Sequence, residues 1–169
     1  MLNLKPIVHA ILEDYALPRH GTHGVSHWAR VLENGLRLAE TTGAISDVVQ
    51  LFAVFHDSRR LNEATDHGHG RRGADLAAEY RGRLFDLPDA DFALLYEACA
   101  DHTDGLTEAD ITVQTCWDAD RLDLGRVGMA PTPRRLCTAA AKSAPMRKWA
   151  DGRASFQVVP DLLKIEWGI

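Results

Sequence analysis

What the chain has little of already narrows its function. Cysteine occurs three times, as Cys99, Cys116 and Cys137, with no CxxC pair. The count is odd and the spacing fits neither a zinc ribbon nor a disulfide framework, so the three read as small buried apolar residues. Long apolar runs are missing as well. The best, Leu51 to Phe55, is five residues long, far short of the ~20 needed to span a bilayer. Near the start, Lys5, Pro6, His9 and Glu13 break up any apolar stretch of the kind a signal peptide carries. A basic excess is also lacking: 19 Lys+Arg stand against 24 Asp+Glu, a net charge of −5. That balance disfavours nucleic acid as a partner. The expectation is a cytoplasmic protein with no membrane or nucleic-acid partner and an open oligomeric state.

The remaining composition is ordinary. With 169 residues, 46% apolar and 25% charged, the chain reads as one globular domain over 1–169. Periodicity predicts an all-α bundle of about six to eight helices. Apolar positions at Leu4, Ile7, Val8, Ile11, Leu12 and Tyr15 predict a helix over 4–17, ended by Pro18. A second helix is predicted over 25–42, with Gly43 as its C-cap. Ser46 or Asp47 would N-cap the next, which runs through Val48, Val49, Leu51, Phe52, Ala53, Val54 and Phe55. Being apolar almost all round, it should be the buried centre. Asp57 to Gly70 has no apolar period and reads as a loop. Further helices are predicted over 71–84, 89–102, 107–125 (opening near Thr107) and 134–142. Residues 131–169 read as a short irregular C-terminal extension, in which Phe156, Val158 and Val159 form a strand or a strap over the bundle.

Histidine is the one abundant oddity. It occurs at 9, 20, 23, 27, 56, 67, 69 and 102 and never afterwards. His27 lies beside the apolar Trp28, His56-Asp57 closes the apolar central helix, and His102 ends another helix. Asp118 and Asp120 sit in Asp-Ala-Asp-Arg-Leu-Asp at 118–123. Buried carboxylates and imidazoles cost several kcal/mol unless paired or bound to a cation. Several of them converging from different helices are most simply explained by a metal held in a bundle. Imidazole with carboxylate and no thiolate suits Fe, Mn, Zn, Co or Ni.

The ordered set His27, His56-Asp57 and Asp120 resembles the HD-domain metal-dependent phosphohydrolases. The His27 context is His-Trp-Ala-Arg-Val, and the likeness covers about residues 20–130. It implies an HD-type helical bundle with a divalent transition metal on these four residues. Two further matches, His69-Gly-Arg-Arg-Gly-Ala74 and Asp101-His-Thr-Asp-Gly105, are similar to the second histidine pair of dinuclear members. They imply that His69 (or His67 in its place) and His102 help hold a second ion, so one or two ions are expected. The implied function is hydrolysis of a nucleotide-like or other small phosphoester. Two alternatives stay open: a dinuclear-iron oxygenase of the same superfamily, and a non-catalytic nucleotide-binding regulatory domain.

The other polar residues receive less certain roles from the residues themselves. A guanidinium near a metal suits bidentate phosphoryl binding. Arg59 and Arg72 are the candidates for catalysis and substrate binding, and Arg121 for substrate binding. Asp118 is the candidate catalytic carboxylate, holding an imidazole or orienting water, with Asp101 as its rival. His9, His20 and His23 read as surface or loop residues. Lys142 and the four tryptophans have no assigned role.

Overall fold

The computed structural model describes residues 2–169 and is helical throughout, with no strand among them. Eight α-helices follow in order: α1 Lys5–Glu13, α2 Val25–Thr42, α3 Ser46–Phe55, α4 His69–Tyr80, α5 Asp89–Asp101, α6 Ile111–Arg121, α7 Ala139–Lys142 and α8 Ala144–Ser155. Short 3₁₀ turns lie at Leu124–Val127 and Pro133–Arg135, and a π turn at Leu163–Trp167. None of these helices is long and apolar enough to cross a membrane.

The all-apolar helix is the centre, as its composition requires. On α3, Val48 through Phe55 are fully buried, and α2, α4, α5 and α6 surround it. Each large side chain so buried contributes roughly 1.5–3 kcal/mol. α2 ends at Gly43, whose φ of 74° permits the left-handed cap. A smaller cluster of Leu38, Leu122, Leu136, Ala141, Met146 and Ala150 ties the C-terminal helices to α2 and the end of α6.

Several expected boundaries move. α1 stops at Glu13 rather than 17. Ile45, not Ser46 or Asp47, occupies the N-cap of α3. α4 begins earlier than expected, at His69, and ends at Tyr80, where the chain turns tightly from Arg81 to Phe85. α6 opens at Ile111 because the Asp110 carboxylate, not Thr107, accepts the Thr112 amide (2.7 Å). The C-terminal extension is more helical than its sequence suggests. α8 carries few apolar residues and a mid-helix Gly152, which blurs its period. Its start was nonetheless marked by Ser143, whose hydroxyl accepts the Met146 amide, and by Pro145. Phe156, Val158 and Val159 make no strand; instead the Val158 carbonyl accepts a bond from Arg30 (2.9 Å), so this segment straps α2.

Two glycines set how closely α4 can approach its neighbours. A Cβ at Gly70 would lie 2.4 Å from the Cys99 carbonyl on α5, and one at Gly73 would lie 2.3 Å from the Phe55 carbonyl on α3. We therefore expect Gly73→Ala to cost about 1–3 kcal/mol through overpacking, measured as a lower urea midpoint. The same substitution at Gly152, where an added Cβ meets nothing within 4 Å, should not destabilise.

Candidate metal centre

The close approach of α4 brings six polar side chains to one end of the bundle. His27 comes from the first turn of α2, and His56 and Asp57 directly follow α3. His69 opens α4, His102 follows α5, and Asp120 lies in the last turn of α6. All are buried except the half-buried Asp120. Asp57 sits between two histidine pairs. Its Oδ2 lies 3.5 Å from His27 Nε2 and 3.7 Å from His56 Nε2. Its Oδ1 lies 3.2 Å from His69 Nε2 and 3.7 Å from His102 Nε2. Asp120 Oδ1 joins the first pair, 3.4 Å from His27 and 3.8 Å from His56. Two groups with metal-ligand geometry result, His27/His56/Asp57 and Asp57/His69/His102, sharing Asp57.

Hydrogen bonds at the outer ring nitrogens say what this cluster wants. His27 Nδ1 is bonded to the Asp123 carboxylate (2.7 Å), and His56 Nδ1 to the Phe52 carbonyl (3.1 Å). His69 Nδ1 is bonded to the Asp66 carbonyl (2.6 Å), and His102 Nδ1 to the Cys99 carbonyl (2.8 Å). Each partner is an acceptor, so each Nδ1 carries a proton, and in the neutral form that binds a metal each ring turns a lone pair inward at Nε2. Those lone pairs face each other: His27 and His56 at 3.0 Å, His69 and His102 at 2.9 Å. With two carboxylates added, the set is rich in acceptors and poor in protons, an arrangement that a divalent cation satisfies. Burial pushes the His56 pKa down to about 3, so that ring is neutral at ordinary pH. Burial pulls the Asp57 pKa up, yet the imidazoles packed around it hold it well below the usual carboxylate range, so it stays ionised. The residues present fit a divalent metal.

The predicted ligands converge, and His69 rather than the exposed His67 is the one inside. The other predicted residues have different partners. Asp118 holds no imidazole: its carboxylate accepts the Cys137 amide (2.7 Å) and the Thr138 amide and hydroxyl (both 2.8 Å). Asp101 is exposed. Arg59 turns away, donating to the carbonyls of Ile11 and Ser58. Arg72 is spent on both oxygens of Asp66 (2.6 and 2.7 Å) and on the Arg59 carbonyl. Arg121 lines the cavity beside the cluster, yet its guanidinium donates to the carbonyls of Gly105, Leu106 and Arg135. Of the histidines expected at the surface, His20 is exposed, but His23 is buried against Glu63 (2.5 Å), with its ring 6.3 Å from that of His27.

Three residues that received no role from the sequence lie against the cluster. Asp123, fully buried, orients His27 and is itself held by Arg30 (2.7 and 3.0 Å). Arg60 reaches Asp57 Oδ1 (3.3 Å) and His69 Nε2 (3.1 Å). Arg126, with its side chain nearly buried, lies in the cavity wall; its charge helps keep the Asp120 pKa low, behind the nearer His56 and His27 and against the upward pull of burial.

The loop before α4 is clamped by Asp66, and this gives a pH dependence. Desolvation pulls the Asp66 pKa upward, but the Arg72 guanidinium and the Leu61 amide hold it below the usual carboxylate range. Its folded pKa is thus lower than its unfolded one, near 3.9. The clamp's contribution should be complete above about pH 4 and vanish as pH falls through the lowered value. Protection factors of the amides over 57–68, corrected for the intrinsic pH dependence of exchange, should fall on acidification in the wild type, and in Asp66→Asn they should be low already at pH 6.

Comparison with known proteins agrees with this geometry. No family model and no curated protein matches the chain. Among solved structures, the crystal structure of a predicted HD superfamily hydrolase from an uncultured Thermotogales bacterium is similar. It is 28% identical, with a TM-score of 0.62, over 92% of this chain and 85% of that one. The all-helical fold and this likeness support the resemblance to the HD-domain superfamily.

Proposed function

We propose that the protein is a metal-dependent phosphohydrolase acting on a small, nucleotide-like phosphoester. The observation that carries this reading is the pair of inward-facing imidazole sets joined through the two oxygens of Asp57. His27, His56, Asp57 and Asp120 would hold one ion, and Asp57, His69 and His102 a second. When bound, such ions lower the pKa of a water and polarise phosphoryl oxygens. The protein's own part is to fix the ligands and supply positive charge. Asp123 sets the tautomer of His27. Arg60 and Arg126 line the adjoining cavity and can neutralise charge on a phosphoryl group. That arginine wall favours phosphoryl transfer over the oxygenase reading of the same centre.

The test combines metal analysis with a phosphoester panel. Protein loaded with Mn²⁺ should hold two ions per chain and release phosphate. His102→Ala should lower the count to one and leave the His27 site filled. Oxygen uptake by the iron-loaded protein without phosphate release would overturn the proposal.

A further inference from the structure

Five arginines line the cavity that opens from Asp57, Asp120 and His102, and its volume is about 680 Å³. Three of them are committed: Arg60 and Arg126 close to the metal cluster, and Arg121 to backbone carbonyls. Arg134 and Arg135 are different. Both are exposed on the cavity wall, and among the described residues neither guanidinium makes an ion pair or a side-chain hydrogen bond. In a chain of net charge −5, two adjacent cations left without carboxylate partners at the mouth of an active-site cavity call for an anion.

The segment that carries them is fixed in place. Pro131 and Leu136 are buried on either side of the Pro133–Arg135 turn. Arg121 Nη1 holds the Arg135 carbonyl (2.8 Å), and Asp118 holds the amides of Cys137 and Thr138. Two of the four residues expected to act on substrate, Arg121 and Asp118, thus build the wall that presents Arg134 and Arg135. A preorganised backbone lets such side chains bind an anion at lower entropic cost. Leu106, 83% exposed, and Met129 give the same cavity an apolar face. The one carboxylate on the lining besides Asp57 and Asp120 is Asp104.

We infer that Arg134 and Arg135 form a second anion subsite, so that the substrate carries at least two phosphoryl groups: one at the metal centre and another on this wall. The inference rests on the phosphohydrolase reading and names its substrate class. A nucleic acid backbone is the poorer match, because the free cations lie in a concavity rather than along a stripe.

The test is calorimetric binding of orthophosphate and tripolyphosphate to the Mn²⁺-loaded full chain, with free Mn²⁺ held constant. Wild type should bind tripolyphosphate at least about tenfold tighter than orthophosphate, the scale of a charge-assisted contact. In the double variant Arg134→Gln/Arg135→Gln, that preference should collapse towards unity, while metal content, thermal stability and orthophosphate affinity stay within about twofold or unchanged. Single variants should each lose part of it, and Arg134→Lys/Arg135→Lys should retain part. Equal affinities in wild type, or an undiminished preference in the double variant, would overturn the subsite and leave the hydrolase reading standing. Failure of the metal-loaded wild type to bind either anion would overturn both.

Discussion

Replacing Asp57 by alanine should strip the protein of both ions, whereas replacing His102 should remove only one. Asp57 is the single residue whose two oxygens face both imidazole pairs, at 3.5 and 3.7 Å on one side and 3.2 and 3.7 Å on the other. No neighbouring side chain can substitute, because Asp120 reaches only His27 and His56. Hydrolysis should fall by on the order of a thousandfold or more, beyond the 10–100-fold typical of residues that merely support a ligand. Stability should change too. Wild type gains folding free energy from its ions, and chelator should lower its melting temperature. The Asp57→Ala protein should melt at the same temperature with or without chelator. Metal content of this variant equal to wild type would refute the bridging role.

Asp123→Ala should have the second largest effect, and it should show first in stability. Asp123 is the counter-charge of Arg30, which is itself buried. Removing one partner of a buried ion pair costs about 3–5 kcal/mol, because the other charge is left uncompensated. For a chain this size the loss corresponds to a melting temperature lower by on the order of 10 °C. His27 would also lose the acceptor of its Nδ1 proton, and metal affinity should drop roughly 10–100-fold. Asp123→Asn, which keeps an acceptor oxygen but not the charge, should fall between. The double variant Arg30→Met/Asp123→Leu should recover much of the stability without recovering metal affinity. A variant that kept both stability and metal binding would remove Asp123 from the centre.

The residues of the cluster were readable and their supports were not, for a physical reason. Imidazoles and carboxylates at the ends of apolar helices are costly to bury unpaired, which marks His27, His56-Asp57 and the Asp118/Asp120 pair, and the family resemblance picked Asp120 from that pair. Arginine side chains are long, and only the fold decides where their ends lie. The notation of the helix nonetheless held clues. Asp57 and Arg60 are three apart, which puts Arg60 on the ligand's side, while the neighbouring Arg59 turns back to α1. Likewise Asp120 and Asp123 are three apart, and the tight turn from Asp120 carbonyl to Asp123 amide (2.9 Å) keeps them on one face. Asp118, two positions earlier, points to the opposite side of α6 and meets Cys137 and Thr138 instead. Gly70 and Gly73 had a role in the His69 motif that spacing alone did not disclose: they let α4 come near enough to set His69 Nε2 2.9 Å from that of His102.

Anomalous diffraction from crystals grown with Mn²⁺, recorded at the manganese edge, would decide whether the two histidine pairs form one dinuclear centre. Two peaks about 3.5–4 Å apart, with Asp57 between them, His27, His56 and Asp120 around one, and His69 and His102 around the other, are what the lone-pair geometry requires. A single peak on the His27 side, with His69 and His102 still bonded only to protein, would contradict it.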